Sequence, residues 1–286
     1  MTNKICYYYQ TFVGLDKIME SPESVNTIIV SSIHFGLEKG DTPYIHLNDL
    51  HPDDPAFNTL WAQTKKLSEN SNIEILIMMG GAGGAYEDLF SNYNIYYPML
   101  VNIIKKRPWI TGIDLDIEEQ VSIDNVKELI RDLNRDFGDE FTITMAPLAG
   151  SLIDDVSGMG GFIYKNLLNS EEGKYITRLN VQAYGSYTLA IFRAMVENGY
   201  PANKLVLGML SGQFNSSTFN DALIEIIKIK NIYPDFGGVF DWEYWNAPPD
   251  SSDPYKWAQK IKIALLNKPV FSFYNYIKSF VLNNLL

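Results

Sequence analysis

Eight short apolar segments, separated by longer segments with helical spacing, constrain the fold of this chain more than any other feature. Each is rich in β-branched, aromatic and aliphatic residues and is apolar almost throughout, as strands covered on both faces are. The eight predicted strands are 5–12, 27–35, 74–79, 109–118, 142–147, 178–184, 204–210 and 237–242. Because strands and helical patterns alternate, the sequence predicts βαβ units and a parallel sheet.

The segments between the strands predict amphipathic helices. In 122–137, Val126, Leu129 and Leu133 recur at three- and four-residue spacing, which places them on one stripe, and Ser122 is predicted to cap the helix. Further helices are predicted at 58–69, 86–106, 186–197, 217–230 and 254–266. Eight such units in 286 residues match a (β/α)8 TIM barrel, which has about 250 residues. We therefore predict an α/β fold with a single barrel.

No linker rich in Pro, Gly or Ser and no block of charge divides the chain, so we expect one domain over residues 1–286. The apolar-rich segment 271–286 is too short to span a membrane and is expected to be a tail docked on the barrel. Gln10 and Asp16 interrupt the N-terminal apolar run, so no signal peptide is predicted. We expect a cytoplasmic protein or one secreted by a leaderless route.

Composition excludes several kinds of partner. Lys and Arg number 23 and Asp and Glu number 34, which gives a formal net charge of −11. Nucleic acid and anionic membranes both require a cationic face, so we expect neither as a partner. Cys6 is the one cysteine, which excludes an internal disulfide and a cysteine-based zinc site. We expect a monomer.

The fourth predicted strand has three carboxylates on one face. Side chains alternate along a strand, so Asp114, Asp116 and Glu118 point into the barrel, near the strand end where barrel enzymes have their active sites. Like charges this close cannot all ionise, so at least one pKa must rise, which suits a general acid at neutral pH. Two alternatives stay open, namely a solvated acidic face on an edge strand and a site for a divalent metal.

This strand resembles the signature of glycoside hydrolase family 18, the chitinases and endo-β-N-acetylglucosaminidases. The family pattern Asp-Gly-x-Asp-x-Asp-x-Glu aligns with residues 111–118. The resemblance implies that Glu118 is the catalytic acid, that Asp116 orients the acetamido group of the substrate and stabilises the charge that forms, and that Asp114 shares its proton network. Thr111 replaces the first Asp, which we expect to weaken the hydrogen bonds beneath Asp116.

Other strand ends also resemble elements of this family. Gly80 and Gly81 match the glycines of a Ser-x-Gly-Gly element, with Met78 in place of Ser. The glycine run by itself fits neither a dinucleotide fingerprint nor a P-loop. Strand five ends at Met145, Ala146 and Pro147, which is also typical of the family. The resemblance implies that Gly80, Gly81 and Met145 lie at the substrate.

The resemblance also assigns aromatic and amide side chains. Tyr184 matches the tyrosine that holds the acetamido group, and Gln182 lies on the same face of the strand. Trp242 matches the tryptophan that forms the floor of that subsite. Tyr7 is predicted to contact substrate from strand one, where alternation places Tyr8 on the opposite face.

The three histidines are predicted outside the catalytic group. His46 and His51 are placed in a solvated polar loop after strand two, where a metal site is the alternative. His34, at the end of strand two, is a candidate for the wall of the cleft.

The implied activity is a retaining, substrate-assisted hydrolysis of β-1,4 bonds between N-acetylglucosamine units. The acetamido oxygen attacks its own anomeric carbon, so no metal or cofactor is expected. The substrates are oligosaccharides or polysaccharides that contain N-acetylglucosamine. Chitinase is the first choice and endo-β-N-acetylglucosaminidase, acting on the chitobiose core of N-glycans, is the second. A family 18-like carbohydrate-binding protein with weak or no activity is the alternative, and an unrelated metal-dependent barrel enzyme is a third hypothesis.

Overall fold

The computed structural model describes residues 3–38 and 40–266, so the predicted docked tail at 271–286 lies outside the described residues. The strands are β1 (Lys4–Tyr9), β2 (Thr27–Glu38), β3 (Thr42–Leu47), β4 (Glu74–Gly80), β5 (Ile110–Asp116), β6 (Thr142–Met145), β7 (Ile176–Gln182), β8 (Leu205–Leu210) and β9 (Gly238–Trp242). Eight of them pair in parallel in the order β1-β9-β8-β7-β6-β5-β4-β2, and β1 pairs with β2 to close the ring. The predicted TIM barrel is confirmed.

Helices surround the barrel. They are α1 (Asp16–Glu20), α2 (Asn58–Ser71), α3 (Ala85–Ser91), α4 (Tyr93–Lys105), α5 (Ile123–Phe137), α6 (Ala149–Ile153), α7 (Tyr164–Leu168), α8 (Leu189–Glu197), α9 (Ser216–Ile232) and α10 (Tyr255–Leu266). Ser122 caps α5 as predicted, because its side chain accepts a hydrogen bond from the Asp124 N–H. The predicted helix 86–106 is instead two helices, which the non-helical Asn92 separates. No described helix is long and apolar enough to cross a bilayer.

Alternation along the strands divides the core into two layers. The larger layer lies between barrel and helices, and a smaller cluster fills the barrel itself. Cys6, Tyr8 and Phe240 belong to the inner cluster, whereas Tyr7 and Tyr9 belong to the outer layer. The Cys6 thiol is fully buried, and burial raises its pKa to about 11.

The N-terminal end of the barrel is closed by ion pairs. The Glu74 carboxylate lies 2.9 Å from the Lys4 ammonium and 2.7 Å from the Arg178 guanidinium. Thr27 and Thr142 donate hydroxyl hydrogen bonds to it at 2.8 and 2.7 Å. Burial alone would raise the pKa of Glu74, but the two cations override burial and lower it to about 2.

Strand β3 is the one element of the barrel sheet that the sequence did not predict. It pairs antiparallel with the second half of β2, which places His34 opposite His46. The prediction of a polar loop at His46 is therefore wrong. The run Thr42–Leu47 is short and contains Pro43, which favours a turn. Its alternation was the available signal, because Ile45 and Leu47 are buried while the intervening side chains are not.

Candidate active site

A cleft of about 890 Å³ opens at the C-terminal ends of the barrel strands. The segment 10–12 after β1, the β2–β3 hairpin, the ends of β4, β5, β7, β8 and β9 and the residues that follow these strands line it, so most of the barrel contributes to one site. Seven of the residues predicted to be catalytic or to bind substrate line this cleft, namely Gly80, Gly81, Asp116, Glu118, Gln182, Tyr184 and Trp242. Asp114 lies two residues before Asp116 on the same face of β5 and is fully buried.

Asp114 is held by neutral hydrogen-bond donors. The Tyr8 hydroxyl donates to it at 2.8 Å and the Asn180 amide at 2.9 Å, and the Thr144 hydroxyl donates as well. These donors favour the ionised carboxyl, but burial dominates and raises the pKa of Asp114 above its usual value. Every one of these donors points into the barrel from a strand, so the carboxyl has little freedom to turn.

Asp116 is the most perturbed carboxyl of the signature strand. It is 5% exposed, and the Gln182 amide donates to its Oδ1 atom at 3.1 Å. Burial raises its pKa well above the usual range, and the negative charges of Asp114 and Glu118 raise it further. This agrees with the expectation that neighbouring carboxylates on one face cannot all ionise. A group of this kind can change its charge when a positive charge forms beside it.

Glu118 lies two residues past the end of β5, where it is half-buried in the lining of the cleft. Within the described ranges no side chain or backbone group hydrogen-bonds to its carboxyl. The group is therefore free to reach a bound molecule, as a general acid must. Its neighbour Glu119 points elsewhere and accepts a hydrogen bond from the Tyr86 N–H at the start of α3.

The glycine pair brings the loop after β4 against β5. A Cβ on Gly80, which has a φ of +97°, would lie 2.2 Å from the Asp116 carbonyl oxygen. The Gly81 N–H donates to that same oxygen at 2.9 Å. A side chain at Gly80 would push the loop off the strand, so these glycines set the width of the cleft beside Asp116. Met78, which replaces the family serine, is buried below Gly81.

Aromatic rings form the floor and one side of the cleft. Trp242 packs on Tyr8, with ring centroids 5.1 Å apart, and remains half-exposed to the cleft. Tyr184 lies across the floor beside Phe240, at 6.5 Å between ring centroids. Burial and the nearby Asp116 raise the pKa of Tyr184 well above 10, so its phenol keeps the proton that a hydrogen-bond donor needs.

Two residues predicted at the substrate lie outside the cleft. The Tyr7 ring is fully buried between β1 and α10, 4.8 Å from Trp257, and its hydroxyl donates to the Pro254 carbonyl. Met145 is also fully buried in the outer layer. The predictions of substrate contact are wrong for both, because alternation turns them toward the helices. Tyr8 and Thr144 occupy the inward positions.

The expected effect of Thr111 is also wrong. Thr111 lies near the N-terminal end of β5 on the outer face, where it is exposed, and its hydroxyl donates to the Ile75 carbonyl at 3.4 Å. Asp116 is on the inner face at the other end of the strand. Thr111 therefore takes no part in the hydrogen bonds around Asp116.

The sequence missed most of one wall. The β2–β3 hairpin contributes His34 and His46, and the segment after β3 contributes Asn48. His34 was a candidate for this wall, and its ring nitrogen lies 3.1 Å from the Ala82 carbonyl oxygen. His46 could have been found from the alternation of β3. Among residues 3–38 and 40–266, no group of three His, Cys, Asp or Glu side chains is placed to hold a metal ion.

Comparison with known proteins finds no matching family model and no matching curated protein. Among solved structures, the chain is 29% identical to a fungal endo-β-N-acetylglucosaminidase from glycosyl hydrolase family 18, with a TM-score of 0.78 over 92% of this chain and 98% of that one. It is 28% identical to the chitinase ChiC from Aspergillus fumigatus, with a TM-score of 0.78 over 92% and 99%. YKL-39, solved with chitooligosaccharides, shares the fold at 12% identity and a TM-score of 0.60 over 93% and 100%.

Proposed function

This chain belongs to glycoside hydrolase family 18, and from that premise we propose a retaining, substrate-assisted hydrolysis of β-1,4 bonds between N-acetylglucosamine units. The observation that carries the proposal is that Asp116, Glu118 and Tyr184 converge on one cleft with Trp242. The activity class, a glycosidase of the chitinase type, rests on the same relatives.

In the proposed reaction Glu118 protonates the glycosidic oxygen that leaves. The acetamido oxygen of the sugar attacks its own anomeric carbon, which breaks the glycosidic bond and forms an oxazolinium ion. Because the attacking acetamido group belongs to the substrate itself, the entropic cost of reaching the transition state is low. Water, deprotonated by Glu118, then opens the ring, and the two inversions retain configuration.

Asp116 is proposed to respond to the charge that forms. Its carboxyl accepts the acetamido N–H and stabilises the oxazolinium as the positive charge develops. Its raised pKa supports this role. A buried carboxylate with no cation beside it is stabilised strongly when a positive charge forms next to it. Asp114, which the Tyr8 and Asn180 donors hold two residues earlier on the same face of β5, is proposed to share the proton network of Asp116.

Tyr184 and Trp242 are proposed to position the reacting sugar. The Tyr184 phenol donates a hydrogen bond to the acetamido oxygen and aligns it with the anomeric carbon. The Gln182 amide fixes the orientation of the Asp116 carboxyl through its hydrogen bond to Oδ1. The half-exposed Trp242 ring offers an apolar floor for the sugar face. The substrate is proposed to be a chitin oligosaccharide or the chitobiose core of an N-glycan, bound by a monomer of this chain without a cofactor.

Glu118→Gln tests the proposal, because the amide keeps the size of the side chain and cannot give a proton. We expect release of a reporter from chitobiose and chitotriose β-glycosides to fall by about 10³-fold or more, while oligosaccharide binding survives. Glu128→Gln, the same change on an exposed position of α5, is the matched control and should keep full activity.

Two outcomes would contradict the proposal. Substantial turnover by the Glu118→Gln protein would remove Glu118 from its role. A wild-type protein that binds chitotriose but cleaves neither these glycosides nor high-mannose glycopeptides would be a carbohydrate-binding protein of the same fold.

A further inference from the structure

The β2–β3 hairpin presents three rings beside the cleft. Tyr44 and His46 lie on one face of β3 with ring centroids 5.6 Å apart and planes 10° apart. His34, which pairs with His46 across the hairpin, also stacks on it, with ring centroids 5.6 Å apart and planes 22° apart. The His46 ring therefore packs against two others, and His34 and His46 line the cleft.

Hydrogen bonds leave one ring nitrogen of His46 free. Its Nδ1 atom contacts the Asn48 carbonyl oxygen, which can only accept, so Nδ1 carries the proton in the neutral ring. The Nε2 atom is then an acceptor, and no described residue donates to it. His34 differs, because Nε2 is 3.1 Å from the Ala82 carbonyl and Nδ1 is 3.4 Å from the Ser32 hydroxyl.

The hairpin is tied to the end of β1, so this wall is in place before a ligand binds. The Asn48 amide donates to the Gln10 carbonyl at 3.0 Å and its Oδ1 atom accepts from the Ser32 N–H at 3.3 Å. A pre-positioned acceptor costs less ordering free energy on binding than a mobile one.

The wall is rich in acceptors and carries negative charge. Asp49 is exposed, and it lines the same cleft as His46, Asp116 and Glu118. Acceptors of this kind fit hydroxyl donors, whereas an anionic group would meet repulsion from the carboxylates. The chemistry therefore favours a neutral sugar residue over an acidic one.

We propose that His46, stacked against His34 and Tyr44, accepts a hydroxyl hydrogen bond from a neutral sugar unit beyond the one that reacts, and so determines the preference for longer chains. This inference rests on the proposed function, because the reacting sugar is placed by Asp116 and Glu118. The occupant is a saccharide unit with free hydroxyl groups, from either a chitin chain or a high-mannose glycan.

The experiment measures kcat/KM for reporter glycosides of two and four N-acetylglucosamine units and for a high-mannose glycopeptide. His46→Ala should lower kcat/KM for the four-unit substrate or the glycopeptide by about 3- to 10-fold, the range for one hydrogen bond. The two-unit glycoside should change by less than about 2-fold. His46→Gln, which keeps an acceptor, should recover part of the loss, and Glu128→Ala, exposed on α5 and outside the cleft, should change nothing.

Binding separates failure of this inference from failure of the proposed function. In the Glu118→Gln background, adding His46→Ala should weaken binding of the four-unit chitin oligosaccharide by a similar factor, whether or not the wild type hydrolyses it. Equal losses for short and long substrates, or unchanged binding of the four-unit oligosaccharide and of the high-mannose glycopeptide, would overturn the inference. The substrate whose kcat/KM falls in the His46→Ala protein shows whether the bound sugar unit comes from a chitin chain or from a high-mannose glycan.

Discussion

The two ends of the barrel interior hold carboxyl groups whose pKa values are shifted in opposite directions. At the N-terminal end, Lys4 and Arg178 contact Glu74 and lower its pKa to about 2. At the C-terminal end, Asp114 and Asp116 contact hydroxyl and amide donors, and both pKa values are raised. Burial opposes ionisation at both ends, so the difference lies in whether a cation is adjacent. The N-terminal end, where Glu74 is paired with cations, stabilises the fold. The C-terminal end, where Asp114 and Asp116 have no cation beside them, holds carboxyl groups that a positive charge on the substrate can stabilise.

The two ends should therefore respond to pH in opposite senses. The lowered pKa of Glu74 contributes stability that is present above its unfolded value near 4.5 and is lost as pH falls toward about 2. The raised pKa values of Asp114 and Asp116 make ionisation unfavourable in the folded state, so these groups contribute most at acid pH and less as pH rises.

Glu74→Gln should have the largest effect, on the free energy of unfolding. It leaves the buried Arg178 without its carboxylate, and losing one partner of a buried pair costs about 3–5 kcal/mol. Urea denaturation at pH 7 should show this loss, and the gap from wild type should shrink as pH falls from 4.5 toward 2. The folded fraction should keep the wild-type kcat.

Glu69→Gln is the control for this substitution, because its ion pair with Lys65 is exposed on α2 and should change stability by less than about 1 kcal/mol. If Glu74→Gln lowered the free energy of unfolding by as little as Glu69→Gln, or if its loss of stability did not change with pH, the ion pairs of Glu74 would not stabilise the fold.

Asp116→Asn should show the reverse pattern. The amide still accepts from Gln182 but cannot carry the charge that offsets the oxazolinium, so kcat should fall by about 10²- to 10³-fold. The free energy of unfolding at pH 7 should not decrease, because the substitution removes a carboxyl that burial disfavours. Steady-state kinetics and urea denaturation on one preparation measure both quantities. If Asp116→Asn destabilised the fold as much as Glu74→Gln, the Asp116 carboxylate would also stabilise the fold, and the contrast between the two ends would be wrong.

Thr111→Asp should have the smallest effect. It restores the first Asp of the family pattern, but on the exposed outer face and away from Asp116. We expect kcat to change by less than about 2-fold and stability by less than about 0.5 kcal/mol, as for most exposed substitutions. A gain in activity of tenfold or more would show that this position communicates with the cleft.

Local pattern predicted most of this fold because parallel barrel strands are buried on both faces and therefore appear as apolar runs. The same pattern predicted that Asp114 and Asp116 share a face, since alternation is a property of the strand alone. It could not decide whether Tyr7 or Tyr8 faces inward, because both choices fit an apolar run. The direction depends on how β1 pairs with β2 and β9.

Long-range contacts account for the rest. Glu74 and Arg178 are on different strands far apart in sequence, and nothing near either residue in the chain indicates the partner. The β2–β3 hairpin was missed because Pro43 and histidines resemble a polar turn, although the strand is stabilised by its pairing with β2. The wall that the β2–β3 hairpin forms could thus be assigned only after the strands were paired.

Cys6 gives the barrel a built-in chemical reporter. It is the chain's one cysteine, it is fully buried within the ring of strands, and its pKa is raised to about 11. Alkylating reagents react with the thiolate, so the native thiol should be inert near neutral pH. Labelling then requires the strands to part, and its rate follows the population of opened molecules. The mass shift from a single alkylation therefore measures barrel opening without any engineered label.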